Sequence, residues 1–422
     1  MSVSSSSERP FDHDQGDLTR RRFLGRTAAG MVAGLSAVPS PAPAAVRKSA
    51  ADRVRVGVIG VRRRGLELAV ALAGQPGAEV AALCDLDSLV RRTALRDVGR
   101  VQARVPNVVS DAGRIFEDQS IDAVVIATPD HSHAPLAIAA CQAGKDVYLE
   151  TPATHGRADE AALREAAAGR VIQCGLQQRS GAHFQKAVEL VRSGELGRIG
   201  LVRAWAVHRR GDVKPVADNG EASTRSRNTE TRPTELDYVR WLGTAPTVAF
   251  DPFRHHHHWR WFWDYGSGEL GNLGVHLLDV ARWGMGIELP QRVTAQGLQL
   301  RPESSGETPD TLSVQFEYPE VTLTWEHRLW SDYGIEGRSA GVAFHGTDGT
   351  LVVDRGGWKV YGRKDGPAMN ATSLLEPHLA DFLESIRTRR APAADLETGL
   401  MSSALCHLGN EAYRSGREWR CD

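Results

Sequence analysis

Residues Arg53–Gly65 read RVRVGVIGVRRRG, a β-rich run that closes on a glycine turn and opens a helical stretch. The same alternation continues downstream. Ala78–Asp85 (AEVAALCD), Ile121–Thr128 (IDAVVIAT), Asp146–Glu150 (DVYLE) and Val171–Gly175 (VIQCG) are predicted strands. Helical stretches are predicted between them at 65–74, 88–99, 132–144 and 156–168. Strands this apolar, alternating with helices, predict a parallel sheet covered on both faces.

After about residue 198 the pattern changes to longer alternating runs: Ile199–Arg209, Arg292–Leu300, Thr311–Tyr318, Val321–His327, Gly341–His345, Thr350–Val353 and Trp358–Tyr361. Alternation predicts an open, mainly antiparallel sheet with one solvated face. Residues 217–233 are polar and turn-rich and are expected to form a loop. Two helices near 374–390 and 394–416 end the chain and are expected to pack back. The expected domains are an N-terminal segment at 1–45, a dinucleotide-binding Rossmann domain at 46–175 and an α/β domain at 176–422.

The 422 residues carry a formal net charge of −1. No global field therefore recruits nucleic acid or an anionic membrane, and small-molecule work is favoured. Ahead of the fold, Thr19-Arg20-Arg21-Arg22-Phe23-Leu24 precedes a weakly apolar Ala/Gly stretch and small residues ending near Ala42-Pro43-Ala44. This order matches a twin-arginine secretory signal, implying a periplasmic or secreted protein with no membrane attachment once the signal is removed. The five cysteines show no metal or redox spacing. Cys84, Cys141 and Cys174 lie in apolar runs and read as buried small residues.

The turn at Gly60–Gly65 is a G-x-G-x-x-G fingerprint with one departure. Gly60 and Gly65 take the first and third glycine positions, but Arg62 takes the second. That glycine ordinarily lets the backbone approach a pyrophosphate at the helix N-terminus, so Arg62 adds bulk and positive charge there. Asp85 ends the second strand where an acid takes the ribose hydroxyls, which favours NAD; Arg62, Arg63 and Arg64 leave NADP open.

Thr128-Pro129-Asp130-His131-Ser132-His133 and Ala143-Gly144-Lys145-Asp146-Val147-Tyr148-Leu149-Glu150-Thr151-Pro152 follow. Together with Trp259–Asp279 (WRWFWDYGSGELGNLGVHLLD), they resemble the signatures of the Gfo/Idh/MocA oxidoreductase family. The resemblance runs over residues 53–416. It implies an NAD cofactor, whose tight retention fits export away from the soluble NAD supply, against Gly60, Val61, Arg62, Arg64, Gly65, Asp85, Thr128, Pro129, His131, His133, Glu150, Pro152 and Gln178. It also implies a proton-transferring histidine at His276, with Asp279 and Asn272 nearby. The family's active-site lysine falls at Thr151, a neutral hydroxyl in place of a cation. His131, His133 or an arginine of 62–64 could take its role.

His255 to His258 form a run of four histidines directly before Trp259, Trp261, Phe262 and Trp263. Adjacent histidines cannot all reach one ion, so pocket lining or packing is the expectation and no metal is implied. Arg179 reads equally as a cleft residue or a salt-bridge partner. The resulting functional expectation is an NAD(P)-dependent oxidoreductase acting on a hydroxyl of a sugar, polyol or glycoside. A redox-neutral NAD-dependent glycosidase and a non-catalytic sugar-binding relative are the alternatives. A homo-oligomer is expected, because an open sheet commonly pairs with a copy of itself.

Overall fold

All five predicted strands of the first half form, and a sixth short strand joins them. The computed structural model describes residues 53–209, 233–251, 254–255, 258–300, 306–363 and 366–421. These residues belong to one unit, Lys48–Asp422. The arginine-pair segment, residues 217–232 of the expected loop, and His256 and His257 lie outside the described residues.

The first sheet contains β1 (Val54–Ile59), β2 (Ala78–Cys84), β3 (Asn107–Val109), β4 (Ala123–Ile126), β5 (Asp146–Leu149) and β6 (Ile172–Cys174), in the order β3-β2-β1-β4-β5-β6. Every pairing in it is parallel. The order reverses between β1 and β4, which opens a crevice beyond the carboxyl ends of the strands. Helices α1 (Arg64–Ala73), α2 (Ser88–Val98), α3 (Ala112–Glu117), α4 (His133–Gln142) and α5 (Glu160–Ala166) alternate with the strands. β1 shows how two faces are covered at once. Val54, Val56 and Val58 enter one apolar cluster while Ile59 enters the other.

The second half holds α6 (Ala182–Arg192), β7 (Ile199–Val207), α7 (Tyr238–Leu242) and α8 (Val275–Met285), then β8 (Arg292–Leu298), β9 (Thr311–Glu317) and β10 (Thr322–Arg328). It continues through β11 (Ala340–Gly346), β12 (Gly349–Asp354), β13 (Gly357–Tyr361), β14 (Ala368–Asn370), α9 (Leu375–Thr388), α10 (Leu396–Ser415) and β15 (Trp419–Arg420). The nine strands run β14-β13-β12-β11-β7-β10-β9-β8-β15, and only the β7–β10 pairing is parallel. The fold is therefore a parallel Rossmann sheet followed by a mostly antiparallel second sheet.

One apolar cluster runs through both halves, joining Ile126 and Leu149 to Leu278, Trp325 and Phe344. A second cluster seats Leu379, Phe382, Leu383 and Ile386 of α9 against Val54, Val56 and Tyr148 of the first sheet. A third gathers Tyr238, Trp241, Trp261, Phe262 and Tyr265, so most of the aromatic run is packing. Cys84, Cys141, Cys174 and Cys406 are buried free thiols, and Cys421 is exposed.

Two histidines join the halves and make stability pH-dependent. His378 sits between the Ser180 hydroxyl at 2.8 Å and the Cys174 carbonyl at 3.0 Å. His407 meets the Thr154 hydroxyl at 3.2 Å. Burial lowers His378 to about 4 and His407 to about 3. Their unfolded values are near 6.5, so between these limits the unfolded chain binds more protons. Their contribution is complete above pH ~6.5 and is lost as the pH falls toward their folded values, by about 1.4 kcal/mol per pH unit from each. Thermal unfolding should show a melting temperature that drops from pH 7 to pH 5, with the His407→Phe variant giving a shallower slope. An unchanged slope in that variant would remove His407 from the account.

Candidate active site and cofactor cleft

A cleft of about 1390 Å³ opens at the carboxyl ends of the first sheet and continues to the second half of the chain. Its floor begins with the glycine turn. Gly60 has φ +78°, and a Cβ there would lie 2.8 Å from the Ala127 carbonyl oxygen. A Cβ on Gly65 would lie 1.7 Å from the Gly60 carbonyl oxygen. Both glycines are thus required by close backbone approach. Arg62 reaches the cleft from the position of the absent middle glycine, and its neighbour Arg63 takes the positive φ of 39°. No side chain caps the N-terminus of α1, which leaves that helix end to the cleft.

Asp85 stands across from this turn. Its Oδ2 accepts from the Val61 amide at 2.9 Å and its Oδ1 from the Asp87 amide at 3.0 Å. A carboxylate offers about four lone-pair sites, so acceptor capacity remains on the cleft side. Thr128 lines the same cleft, and its buried hydroxyl has no hydrogen-bond partner among the described residues. Glycine cradle, uncapped helix end, acid and orphan hydroxyl together fit a dinucleotide.

Several residues in the motifs serve the scaffold. His131 meets the Trp241 carbonyl at 3.0 Å and packs edge-on against Trp241 and Tyr265. His133 lies between the carbonyls of Pro152 at 2.7 Å and Thr128 at 2.9 Å. Although both line the cleft, their rings are held too firmly to replace a lysine. Pro129 lines the cleft as well, whereas Val61, Gly65, Pro152 and Gln178 do not. Gln178 is buried. Glu150 accepts from Arg64 Nε at 2.8 Å, and Arg64 also reaches Glu67 at 2.9 Å.

On the substrate side, His276 Nε2 lies 3.4 Å from the Thr151 hydroxyl. Burial, then the charges of Arg355 and Arg64, hold His276 well below the ordinary histidine value. It is therefore neutral near pH 7 and available as a proton acceptor. A π-helical turn at Leu270–Gly274 precedes α8 and carries Asn272 into the cleft. Asn272 donates to Glu269 at 3.0 Å, and Glu269 lies 3.6 Å from His208.

Asp279, one helical turn beyond His276, is placed differently from the expectation. It is fully buried and grips Arg179 through two hydrogen bonds of 2.8 and 2.9 Å. The Ser402 hydroxyl adds a third at 2.8 Å, and Arg282 lies 3.6 Å away. Asp279 and Arg179 are a buried ion pair behind α8, outside the cleft. Of the histidine run, His255 packs on Trp241 and Phe250 while both His255 and His258 line the cleft. Lining residues without a signal in the motifs include His208, Trp241 and Arg355. Each lies at a strand end, a short helix or a turn, far from the motifs in sequence.

Two models of one family match the chain. GFO_IDH_MocA, the oxidoreductase family's NAD-binding Rossmann fold, matches residues 54–176, and GFO_IDH_MocA_C2, its C-terminal alpha/beta domain, matches residues 220–321. The chain belongs to the Gfo/Idh/MocA oxidoreductase family. Among relatives of this Gfo/Idh/MocA chain, a glycosyl hydrolase family 109 protein from Stenotrophomonas maltophilia is 38% identical over 143 residues. That stretch spans 32% of this chain and only 30% of the relative's own length. The myo-inositol 2-dehydrogenase of Thermotoga maritima is 26% identical over 381 residues, covering 86% of this chain and 97% of its own. The aldose-aldose oxidoreductase of Caulobacter crescentus has the same fold, with a TM-score of 0.66 at 21% identity over 87% of this chain and 100% of that one.

Proposed function

We propose that this family member is an NAD(H)-dependent oxidoreductase acting on a hydroxyl of a sugar, polyol or glycoside. The carrying observation is the neutral, buried His276, 3.4 Å from Thr151, in the same cleft as the glycine turn and Asp85. Gly60, the N-terminus of α1 and Asp85 would hold the dinucleotide, with Asp85 favouring NAD over NADP. When bound, the nicotinamide supplies the acceptor for the hydride of the carbinol carbon. His276 takes the hydroxyl proton, and the Thr151 hydroxyl orients that ring. The nearby α1 end and Arg62 supply positive potential for a pyrophosphate. Purified full-length protein, denatured after expression, should release NAD, and added NAD with a sugar panel should yield NADH. Protein that neither releases nor binds NAD would instead favour a non-catalytic sugar-binding role.

A second reading has support from the glycosyl hydrolase family 109 relative and from Thr151. In this reading the aglycone would leave by elimination beside the oxidised carbon and water would add in its place, while the two electrons taken from the sugar return to it, so NADH never accumulates. Release of nitrophenol from nitrophenyl glycosides without net NADH distinguishes it.

We also propose export of the folded chain through the twin-arginine route, from the Arg20-Arg21 pair and the small residues ending near Ala44. A tightly retained cofactor suits such an enzyme, which leaves the soluble NAD pool behind. Arg20→Lys with Arg21→Lys should trap the protein in the cytoplasm on cell fractionation. Undiminished export of the double variant rejects the route.

A further inference from the structure

Arg355 occupies the tip of the turn between β12 and β13, on the second sheet, and its side chain lines the cleft together with Thr151, His276, Glu150 and Arg64. The turn is anchored on both sides. Asp354 accepts from the Gly356 amide at 2.7 Å and pairs with Arg338 at 2.5 Å. The Asp354 carbonyl meets His183 at 3.2 Å, and the Ala371 amide donates to the Gly356 carbonyl at 3.2 Å. Gly357 takes φ +124°, a conformation that only glycine adopts easily. The backbone is thus built to hold an arginine at one point above the cleft.

Among the described residues, Arg355 makes no hydrogen bond and no ion pair. Its neighbours explain why. The acid nearest in the site, Glu150, is taken by Arg64, and Arg64 itself adds a like charge beside Arg355. The other arginines of the cleft have partners or different locations. Arg240 pairs with Asp111 at 3.0 Å, and Arg62 stands at the glycine turn beside Asp85 and Asp87.

Arg355 is exposed, so its guanidinium without a carboxylate is tolerated while water fills the cleft. When a ligand displaces that water, the cation must find an anion or lose solvation without return. A neutral sugar offers only hydroxyl acceptors. A carboxylate matches the planar fork of arginine through two parallel charge-assisted hydrogen bonds. Thr151 and neutral His276 contribute no charge on this side, and Arg64 is offset by Glu150 and Glu67, so the positive potential beside them comes from Arg355.

We propose that Arg355 is the specificity residue of this cleft, binding the carboxylate of an acidic sugar or polyol, a uronic or aldonic acid, whose hydroxyl is presented to His276. This rests on the hydroxyl-oxidoreductase reading, and the test separates the two. The full-length protein loaded with NADH is titrated with galacturonate against galactose, and with glucuronate against glucose, following tryptophan fluorescence or heat. Wild type should bind each acid at least about tenfold more tightly than its neutral partner. Arg355→Gln should erase that ratio, and Arg355→Lys should restore part of it, because the charge returns without the fork.

Equal affinity for acid and neutral sugar in wild type overturns the proposal, as does a ratio that survives Arg355→Gln. A tenfold loss of NADH affinity in Arg355→Gln also overturns it, by assigning the guanidinium to a cofactor phosphate. Turnover is then measured separately with NAD. Acid binding that depends on Arg355 but yields no NADH upholds the assignment of the carboxylate and counts against the oxidoreductase reading alone.

Discussion

His276→Ala lowers the single-turnover rate of NADH formation by a factor on the order of 10²–10⁴, the usual worth of a positioned proton acceptor. The fold and the cofactor should survive. The ring is buried at 8% exposure, Thr151 is its hydrogen-bond partner, and its Nδ1 has none among the described residues. Its removal therefore breaks no network. Because burial, Arg355 and Arg64 depress its pKa, the base stays deprotonated near neutrality. Activity in wild type should accordingly be lost only as the pH falls below the ordinary histidine range, about 6.5. Thr151→Val tests the neighbouring hydroxyl at nearly constant volume. If that hydroxyl orients the ring, kcat falls with little change in KM. Wild-type turnover in His276→Ala would show that the proton goes elsewhere.

Asp279→Ala should destabilise the protein by about 3–5 kcal/mol, the range found when one partner of a buried ion pair is removed. The truncation leaves the Arg179 guanidinium without its carboxylate, with the Trp283 ring against it, and strips Arg282 of its acid at 3.6 Å. The Ser402 hydroxyl loses one of its two acceptors and keeps the Thr398 carbonyl at 2.9 Å. Replacing both partners, Asp279→Leu with Arg179→Met, should recover most of the loss, because no charge is then left unpaired. Thermal unfolding of cofactor-free protein measures both. A single variant within about 1 kcal/mol of wild type would mean that water reaches Arg179 and the pair is not a buried one.

These two residues also show what could be read from the chain beforehand. The histidine and the aspartate stand one helical turn apart, so sequence spacing puts both on one face of α8. It does not reveal that Arg179 waits behind that face and draws the aspartate away from the cleft. The parallel sheet was legible because β1, β2, β4 and β5 are runs of apolar residues that need cover on both sides. β3 was not, since three residues between Pro106 and Ser110 are too few to carry a period. The π-helical turn before α8 left no mark either, because the glycines and asparagine of LGNLG weaken any helix without distinguishing a π turn from a loop. Arg355 lay beyond reach for a different reason. Its place in the cleft comes from the register of strands paired across the second sheet, and no local pattern encodes that.

The seating of α9 on the first sheet has a consequence for synthesis. Arg387, at the end of that helix, donates to the carbonyl of Gly77 from 310 residues away in the chain. Phe382 and Leu383 fill the same apolar cluster as Val54 and Val56. A ribosome therefore releases the strands of the Rossmann sheet long before the helix that covers one of their faces exists. Contacts of such sequence separation close late, after a large loss of chain entropy. Until α9 emerges, α1 and α2 cover the valines, but Tyr148 lacks the Phe382 ring that packs on it, and the nascent sheet depends on chaperones or on partial collapse to stay soluble. A chain cut just before Leu375 should accumulate as aggregate, although its whole glycine turn and both motif histidines are intact.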